Sequence, residues 1–386
     1  MQIAIRTEVI GNDDLERTIS LSNQACQECI DIGMKANTFN KTRLHHLTYT
    51  VIRKAHPELN SSLVTAVRDQ ASDMLKRLKL KKKPTKKQHS SVRLNHNTFK
   101  FFPDSKIVSI STINGRQKYT VKIPPYFEKY DFKDSDSARI RTKKGRIFLD
   151  IIAEITTPNK RAFKKIIGVD RGIYNPAVTS DNTFFNSKKL REVKGSYKHL
   201  KGCLQRAGTR SAKRHLQRLA GRERRFVADM NHCISKAIVN KDCDTIALEE
   251  LRTGNMKRKG RTGKKTRSLI GNWSAKQLLS FIQYKAEILG KNVILVNSNY
   301  TSQACNRCGN IHRANRKGRL FKCSVCGFTL HADLNASRNI ACLAKGKISR
   351  LNVNQPIVAY DKFKASLREE LRASIVTNSA FLMQGS

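Results

Sequence analysis

Two Cys-x-x-Cys pairs separated by fourteen residues constrain this chain more than any other feature. Cys305 and Cys308 form the first pair and Cys323 and Cys326 the second, with Gly309 and Gly327 directly behind them. Two such turns can bring four thiolates to the corners of a tetrahedron, and the glycines let the backbone turn tightly around a metal. Four Cys ligands leave a bound Zn2+ no open position, so the expected ion is structural and not catalytic. A redox dithiol or a chance spacing is the alternative. The loop between the pairs carries Arg313, Arg316, Lys317 and Arg319, which either touch phosphate or face solvent. Cys26-x-x-Cys29 has no second pair nearby and reads as two cysteines on a helix.

Charge narrows the partner. The 386 residues carry 75 Lys and Arg against 30 Asp and Glu, a formal net charge of +45. Folding does not need that excess, because self-repulsion disfavours the compact state. A polyanion does suit it: double-stranded DNA presents about one phosphate per ~1.7 Å of axis, and counterion release supplies much of the affinity. A generally basic, ribosomal-type protein is the blander alternative. The other six of the ten Cys are scattered, which is not a secreted disulfide framework. Residues 1–14 lack a basic-then-apolar leader, and no run approaches the ~18 apolar residues of a membrane span. A cytoplasmic, nucleoid-associated protein without membrane contact is expected.

The hydropathy pattern divides the chain. Residues 2–10 alternate as a strand, and 13–80 read as three helices. Lys81 to Lys87, with Pro84 inside, reads as a linker. Residues 92–156 are short β-rich segments, so the helical block would interrupt a small β-domain that the N-terminal strand completes. From Lys164 strands and helices alternate. Residues 193–240 read as one long basic helical stretch with Leu200, Leu204, Leu216 and Leu219 as its apolar stripe, and 273–290 as an amphipathic helix around Trp273, Leu278, Ile282 and Leu289. Residues 333–345 read as a helix.

Acidic residues close two apolar strands and open one helix. Asp170 ends Ile166–Val169, Glu249 and Glu250 end Thr245–Leu248, and Asp333 stands at the start of the helix after the Cys pairs. Taken singly, each reads as a solvated strand or helix end. Taken together, crowded carboxylates repel one another, and a hard divalent cation relieves that cost. Two such ions ~4 Å apart can activate water and stabilise the leaving oxygen of a phosphodiester. Spacing alone cannot bring positions 170, 249 and 333 together.

The runs GVDRG (168–172), ALEEL (247–251), TSQACNRCG (301–309), CSVCG (323–327) and HADLNASRNIA (331–341) resemble, in that order, the blocks of the TnpB transposon-encoded nucleases, which are similar to the compact type V CRISPR effectors. The resemblance covers roughly 164–345 by motif and 1–160 only by architecture. It implies an α/β RuvC-like (RNase H-like) nuclease core with an inserted zinc knuckle, plus an N-terminal β-barrel wedge domain interrupted by a helical recognition domain. The implied boundaries are 1–12 and 90–160 for the wedge, 13–89 for recognition, 161–300 and 329–345 for the nuclease, 301–328 for the zinc-binding part and 346–386 for a flexible tail. Carried over by position, the catalytic and Mg2+ (or Mn2+) binding acids are Asp170, Glu249 and Asp333, with Cys305, Cys308, Cys323 and Cys326 on Zn2+. The family usually has Asp where this chain has Glu250, and often a hydrophobic residue where it has Arg171, which could pair with phosphate or face solvent. The implied activity is RNA-guided DNA cleavage next to a short motif, with guide RNA and target double-stranded DNA as partners and one chain per guide. Two alternatives stay open: a nuclease-inactive, RNA-guided repressor, and a DNA transposase or recombination protein.

Two basic stretches are the candidate nucleic-acid surface. Lys194 to Arg225 holds eleven Lys and Arg against the single acid Glu223, and Arg252–Arg267 holds eight basic residues and no acid. From them Lys198, Lys201, Arg206, Arg210, Lys213, Arg214, Arg218 and Arg222, and Lys257, Arg258 and Lys259, are the expected contacts. A protein can hold a guide–target duplex through backbone and shape without reading bases.

Overall fold

The computed structural model describes residues 1–351 except 11–12, 134, 144, 252–262 and 264–273. The chain forms two compact units, Met1–Thr156 and a second from Thr157 onward.

In the first unit β1 (Gln2–Val9) pairs antiparallel along its whole length with β7 (Arg146–Glu154), from Gln2 opposite Glu154 to Val9 opposite Ile147. Alternation turns Ile5 and Val9 inward on that pair. Three helices lie between β1 and the rest of the strands: α1 (Asp13–Lys35), α2 (Lys41–Ala55) and α3 (Ser61–Leu78). Asn40 and Asn60 cap α2 and α3, their side-chain oxygens accepting the N–H groups of Arg43 and Leu63. β2 (Val92–Leu94), β3 (Phe99–Phe102), β4 (Ile107–Thr112), β5 (Gly115–Thr120) and β6 (Ala138–Lys143) complete two sheets, ordered β1-β7-β6-β2 and β3-β4-β5. Both sheets share one core with Leu15 and Ile19 of α1, and the helices close a second core around Ile30, Leu44, Leu63 and Leu75. The basic segment Lys81–Lys87 is not a free linker. The Lys86 N–H donates to Gln27 on α1 (2.7 Å) and Pro84 is buried. Cys26 and Cys29 are fully buried on α1, where burial pushes their thiols up to about 11 and about 12.

The second unit is built on a five-stranded sheet ordered β10-β9-β8-β11-β12. Its strands are β8 (Ile166–Asp170), β9 (Ala177–Thr179), β10 (Thr183–Phe185), β11 (Thr245–Glu249) and β12 (Asn292–Val296). β8, β11 and β12 run parallel, while β9 runs antiparallel between β8 and β10. The helices are α4 (Lys188–Ala207), α5 (Arg210–Val239), α6 (Ala275–Ile288) and α7 (Ala332–Leu351). Ile167, Val169, Ile246 and Leu248 meet α5 and α6 on one face of the sheet. Ile166, Ala247, Ile294 and Val296 meet α7 on the other. This three-layer arrangement buries both faces of the parallel strands, as their continuous apolar sequences require. α7 comes so close to β8 that a Cβ on Gly168 would lie 2.0 Å from the Ser337 carbonyl oxygen.

Two local expectations need correction. The basic stretch 193–240 is helical, and the correction concerns its apolar face. Gly208 ends α4 in the left-handed region and the Thr209 hydroxyl caps α5, accepting the Ala212 N–H at 3.1 Å. Its leucine stripe is largely unburied, with Leu219 buried, Leu204 and Leu216 half-buried and Leu200 37% exposed. The helix around Leu278 and Ile282 begins at Ala275, and Trp273 lies outside the described residues. α7 continues past 345 to Leu351, and the rest of the C-terminal segment lies outside the described residues. Among the described residues no helix is long and apolar enough to cross a membrane.

Candidate metal centres

The parallel register of β8 and β11 sets Val169 beside Leu248, so the next residues, Asp170 and Glu249, emerge side by side at the carboxyl ends of adjacent strands. Strand alternation puts both on the face that α7 covers, because Gly168 and Ala247 face that helix two residues earlier. α7 begins there, with Asp333 in its first turn, where a carboxylate also complements the helix dipole. Three acids more than 70 residues apart in sequence therefore gather at one end of the sheet. The carboxyl ends of parallel strands are where open α/β sheets bind ligands.

The electrostatics record the crowding. Burial, then the neighbouring Glu249 and Asp333 charges, hold the Asp170 carboxyl well above the usual carboxylate range, against the pull of Arg316 and Arg171. Burial also raises Glu249, which is 7% exposed, against the Thr301 hydroxyl and the two arginines. These oxygens are the donor set a hard divalent cation prefers, and such a cation would answer their desolvated charge. The carboxylates are more loosely grouped than the thiols described below.

Neighbours hold each acid in place. Asn175 Nδ2 donates to Asp333 Oδ2 at 2.9 Å and Arg316 to its Oδ1 at 3.2 Å. The Thr301 hydroxyl donates to Glu249 Oε1. Arg171 neither faces solvent nor offers its charge outward: it is 4% exposed and donates to the carbonyls of Glu249 and of Ala275, the latter at 2.9 Å. Burial lowers its guanidinium to about 10, against the pull of Glu249 and Asp170. The roles of Asn175 and Thr301 left no trace in the sequence because their partners lie 158 and 52 residues away, and the carbonyl that Arg171 reaches is 78 residues away. Arg316, expected to touch phosphate or face solvent, meets Asp333 with its guanidinium.

The second centre is the Cys cluster. Among the described residues, the Sγ atoms of Cys305, Cys308, Cys323 and Cys326 form the one group of at least three metal-ligating atoms lying within 4.8 Å of one another. Cys305 and Cys326 are 3.8 Å apart and Cys308 and Cys323 are 3.5 Å apart. Zinc bonded at ~2.3 Å to four sulfurs would set them ~3.8 Å apart, so the cage fits that ion. Each Cys-x-x-Cys turn closes on its glycine, Gly309 N–H to Cys305 O at 2.9 Å and Gly327 N–H to Cys323 O at 3.1 Å, both glycines at positive φ. A small sheet of β13 (Arg316–Lys317), β14 (Leu320–Lys322) and β15 (Thr329–His331) frames the cluster. Asn335 and Asn339 of α7 clip it down by donating to the Ala304 carbonyl at 2.7 and 2.8 Å. The Cys cluster and the acid cluster thus share one helix.

Of the candidate nucleic-acid contacts, Lys198, Arg206, Arg210, Lys213, Arg214, Arg218 and Arg222 are exposed along α4 and α5. Lys201 is half-buried and its ammonium is paired with Glu223. Lys257, Arg258 and Lys259 lie outside the described residues.

Comparison with known proteins adds to this geometry. A family described as the Cas12f1-like TNB domain matches residues 276–340, and the OrfB_IS605 family, described as a probable transposase, matches 142–260. A Cas12f1 CRISPR-associated endodeoxyribonuclease of Sulfoacidibacillus thermotolerans is 38% identical over 33% of this chain and 29% of its own length. One from Syntrophomonas palmitatica is 23% identical over 82% of this chain and 76% of its own. The TnpB-like protein MJ0751 of Methanocaldococcus jannaschii is 32% identical over 32% of this chain and 45% of its own. The match thus spans less than half the length of the first and third of these relatives. Among solved structures, CasPhi-2 (Cas12j) bound to crRNA shares the fold, with a TM-score of 0.52 and 10% identity over 88% of this chain and 97% of that one.

Proposed function

We propose that this chain, a relative of the TnpB-like and Cas12f proteins, is a transposon-encoded, RNA-guided DNA endonuclease that cuts target DNA beside a short adjacent motif. The observation that carries the proposal is the meeting of Asp170 and Glu249 on neighbouring parallel strands with Asp333 on the helix that crosses them. In this account the second unit is a RuvC-like, RNase H-like nuclease core whose Cys cage holds Zn2+, and the first is a β-barrel wedge interrupted by a helical recognition insert. Guide RNA, target double-stranded DNA and one protein chain make up the working complex.

Asp170, Glu249 and Asp333 would hold Mg2+ or Mn2+. Bound there, a pair of such ions supplies water activation and neutralises charge on the leaving oxygen during in-line phosphodiester hydrolysis. The protein's part is to aim the ligands. Asn175 and Arg316 fix the two oxygens of Asp333, and Thr301 fixes one oxygen of Glu249. Arg171 ties the end of β8 to the end of β11 and the start of α6, so the two strand-end acids move as one piece. The exposed cations of α4 and α5 suit the backbone of a guide–target duplex, a contact that needs no base reading.

The test is cleavage of a matched target by the full chain with its guide RNA and Mg2+. Asp170→Ala, Glu249→Ala and Asp333→Ala should each lower cleavage by more than the ~10–100-fold typical of losing a group that only supports a metal ligand, with target binding retained. Glu250→Ala should be milder. The products should be hydrolysed ends with no joined strands. Undiminished cutting by the Asp333→Ala protein, or strand-joined products, would overturn the assignment.

A further inference from the structure

Between Asp170 and β9 the chain makes a short turn whose geometry is fixed from several sides. The Gly172 N–H bonds to the Asn175 carbonyl at 2.9 Å, and a Cβ on Gly172 would lie 2.9 Å from that same oxygen. The buried Ser187, just before α4, reaches back to the turn: its N–H donates to the Tyr174 carbonyl at 3.0 Å and its hydroxyl to the same oxygen at 2.7 Å. On this pinned backbone Tyr174 is 50% exposed. Its chain neighbour Asn175 holds Asp333, so Tyr174 is next in sequence to a residue that orients a candidate catalytic acid.

Two guanidinium groups border the ring. Arg191 of α4 lies 5.0 Å from its centroid and Arg319 of the Cys-rich segment 5.3 Å. Both are also tied to the frame of the site. Arg191 Nε donates to Ser187 Oγ at 3.1 Å, and the Arg319 carbonyl accepts the N–H of Ala332, next to Asp333, at 2.8 Å. A large half-exposed aromatic has no packing reason to be held on so rigid a turn. A single-stranded nucleic acid supplies one: successive bases stack on aromatic rings while cations beside the rings follow the phosphates. Cation–π contacts at exposed sites are weak compared with base stacking, so either arginine can leave the ring for a phosphate as the base arrives. A base still paired within a duplex would not offer its face in this way.

We infer that Tyr174, with Arg191 and Arg319, is a nucleotide clamp that stacks one unpaired base and grips its flanking phosphates, setting the strand for the cut at the acid cluster. This inference rests on the nuclease assignment for the nature of the strand, and its test separates the two. In the full chain with guide RNA and Mg2+, Tyr174→Ala should raise the KM for target by about five- to a hundredfold, the loss of one stacked base. Tyr174→Phe should restore it. A single abasic nucleotide, scanned through the positions flanking the cut, should slow the wild-type protein at one position and leave the Tyr174→Ala protein no slower than on intact DNA. Independently of cleavage, an Asp170→Asn protein should quench 2-aminopurine at one position when the label is scanned through the strand, and an Asp170→Asn, Tyr174→Ala protein should quench it at none. A wild-type protein that cuts nothing defeats the nuclease assignment, and the quenching comparison then still judges the clamp. Equal KM with and without the ring, an abasic penalty that persists in Tyr174→Ala, or equal quenching by both proteins overturns the clamp.

Discussion

Glu249 and Glu250 are consecutive, and the strand separates them. Glu249 is turned under α7, almost sealed from solvent and held by Thr301, while Glu250 is exposed and tied to the sheet through its N–H, which donates to Val296 O at 2.8 Å. The period of two along a strand is enough to give two identical side chains different work. Gly168 depends on the same face of the sheet. It sits two residues before Asp170, and a Cβ there would lie 2.0 Å from the Ser337 carbonyl oxygen and 2.6 Å from the Ala341 nitrogen, both backbone atoms of α7. Backbone cannot rotate aside, so α7 must lift and carry Asp333 with it. Gly168→Ala should cost roughly 3 kcal/mol, the upper end of ordinary overpacking, and should lower cleavage beyond its effect on folded fraction. Denaturant unfolding checks the first effect and cleavage per folded molecule the second. An alanine variant of unchanged stability would contradict this packing.

At the scale of elements, α7 links the two centres. Its first turn carries Asp333 and Asn335 and its second ends at Asn339, and the two asparagines fasten the Cys-rich segment. Metal in the cage would therefore stabilise the helix that presents a catalytic acid. One zinc per chain is expected by elemental analysis. Cys308→Ser or Cys323→Ser should lower it toward zero and destabilise the second unit, because metal binding and folding are linked. Cys26→Ser, in the helical core of the first unit, should leave the count unchanged. Reduced, chelator-free protein without zinc would contradict the cage. Much of this was legible in sequence, since the ligand spacing is local and the apolar strands ending in acids carry their own signal. The register that sets Asp170 beside Glu249 was not, because pairing between strands 79 residues apart leaves no local trace. The helical character of 193–240 was legible too, and Gly208-Thr209 is the stop-and-start signal that divides it into α4 and α5. β6 has only a short alternation, and its pairing with β7 and β2 on either side makes it a strand.

At the scale of the whole molecule, the surplus of positive charge is the dominant property. The helices α4 and α5 carry much of it on exposed surface, and Leu190 is the only buried residue of α4. The C-terminal half of α5 is anchored on the sheet through Ile234, Ile238 and Val239, whereas α4 and the N-terminal half of α5 gain little from the core and more from a polyanion laid along them. Such a surface grips backbone and discriminates poorly between sequences, so target choice has to come from elsewhere. In the proposed function it comes from base pairing with a bound RNA. Replacing the pairing segment of that RNA, with the protein unchanged, is the most direct measurement. Cleavage should move to the DNA that matches the new segment, beside the same short motif, and should vanish when the RNA is digested before assembly. A cut site that stays put after the exchange, or specific cutting that survives RNase, would contradict RNA guidance and leave a nuclease that selects its target by protein contacts alone.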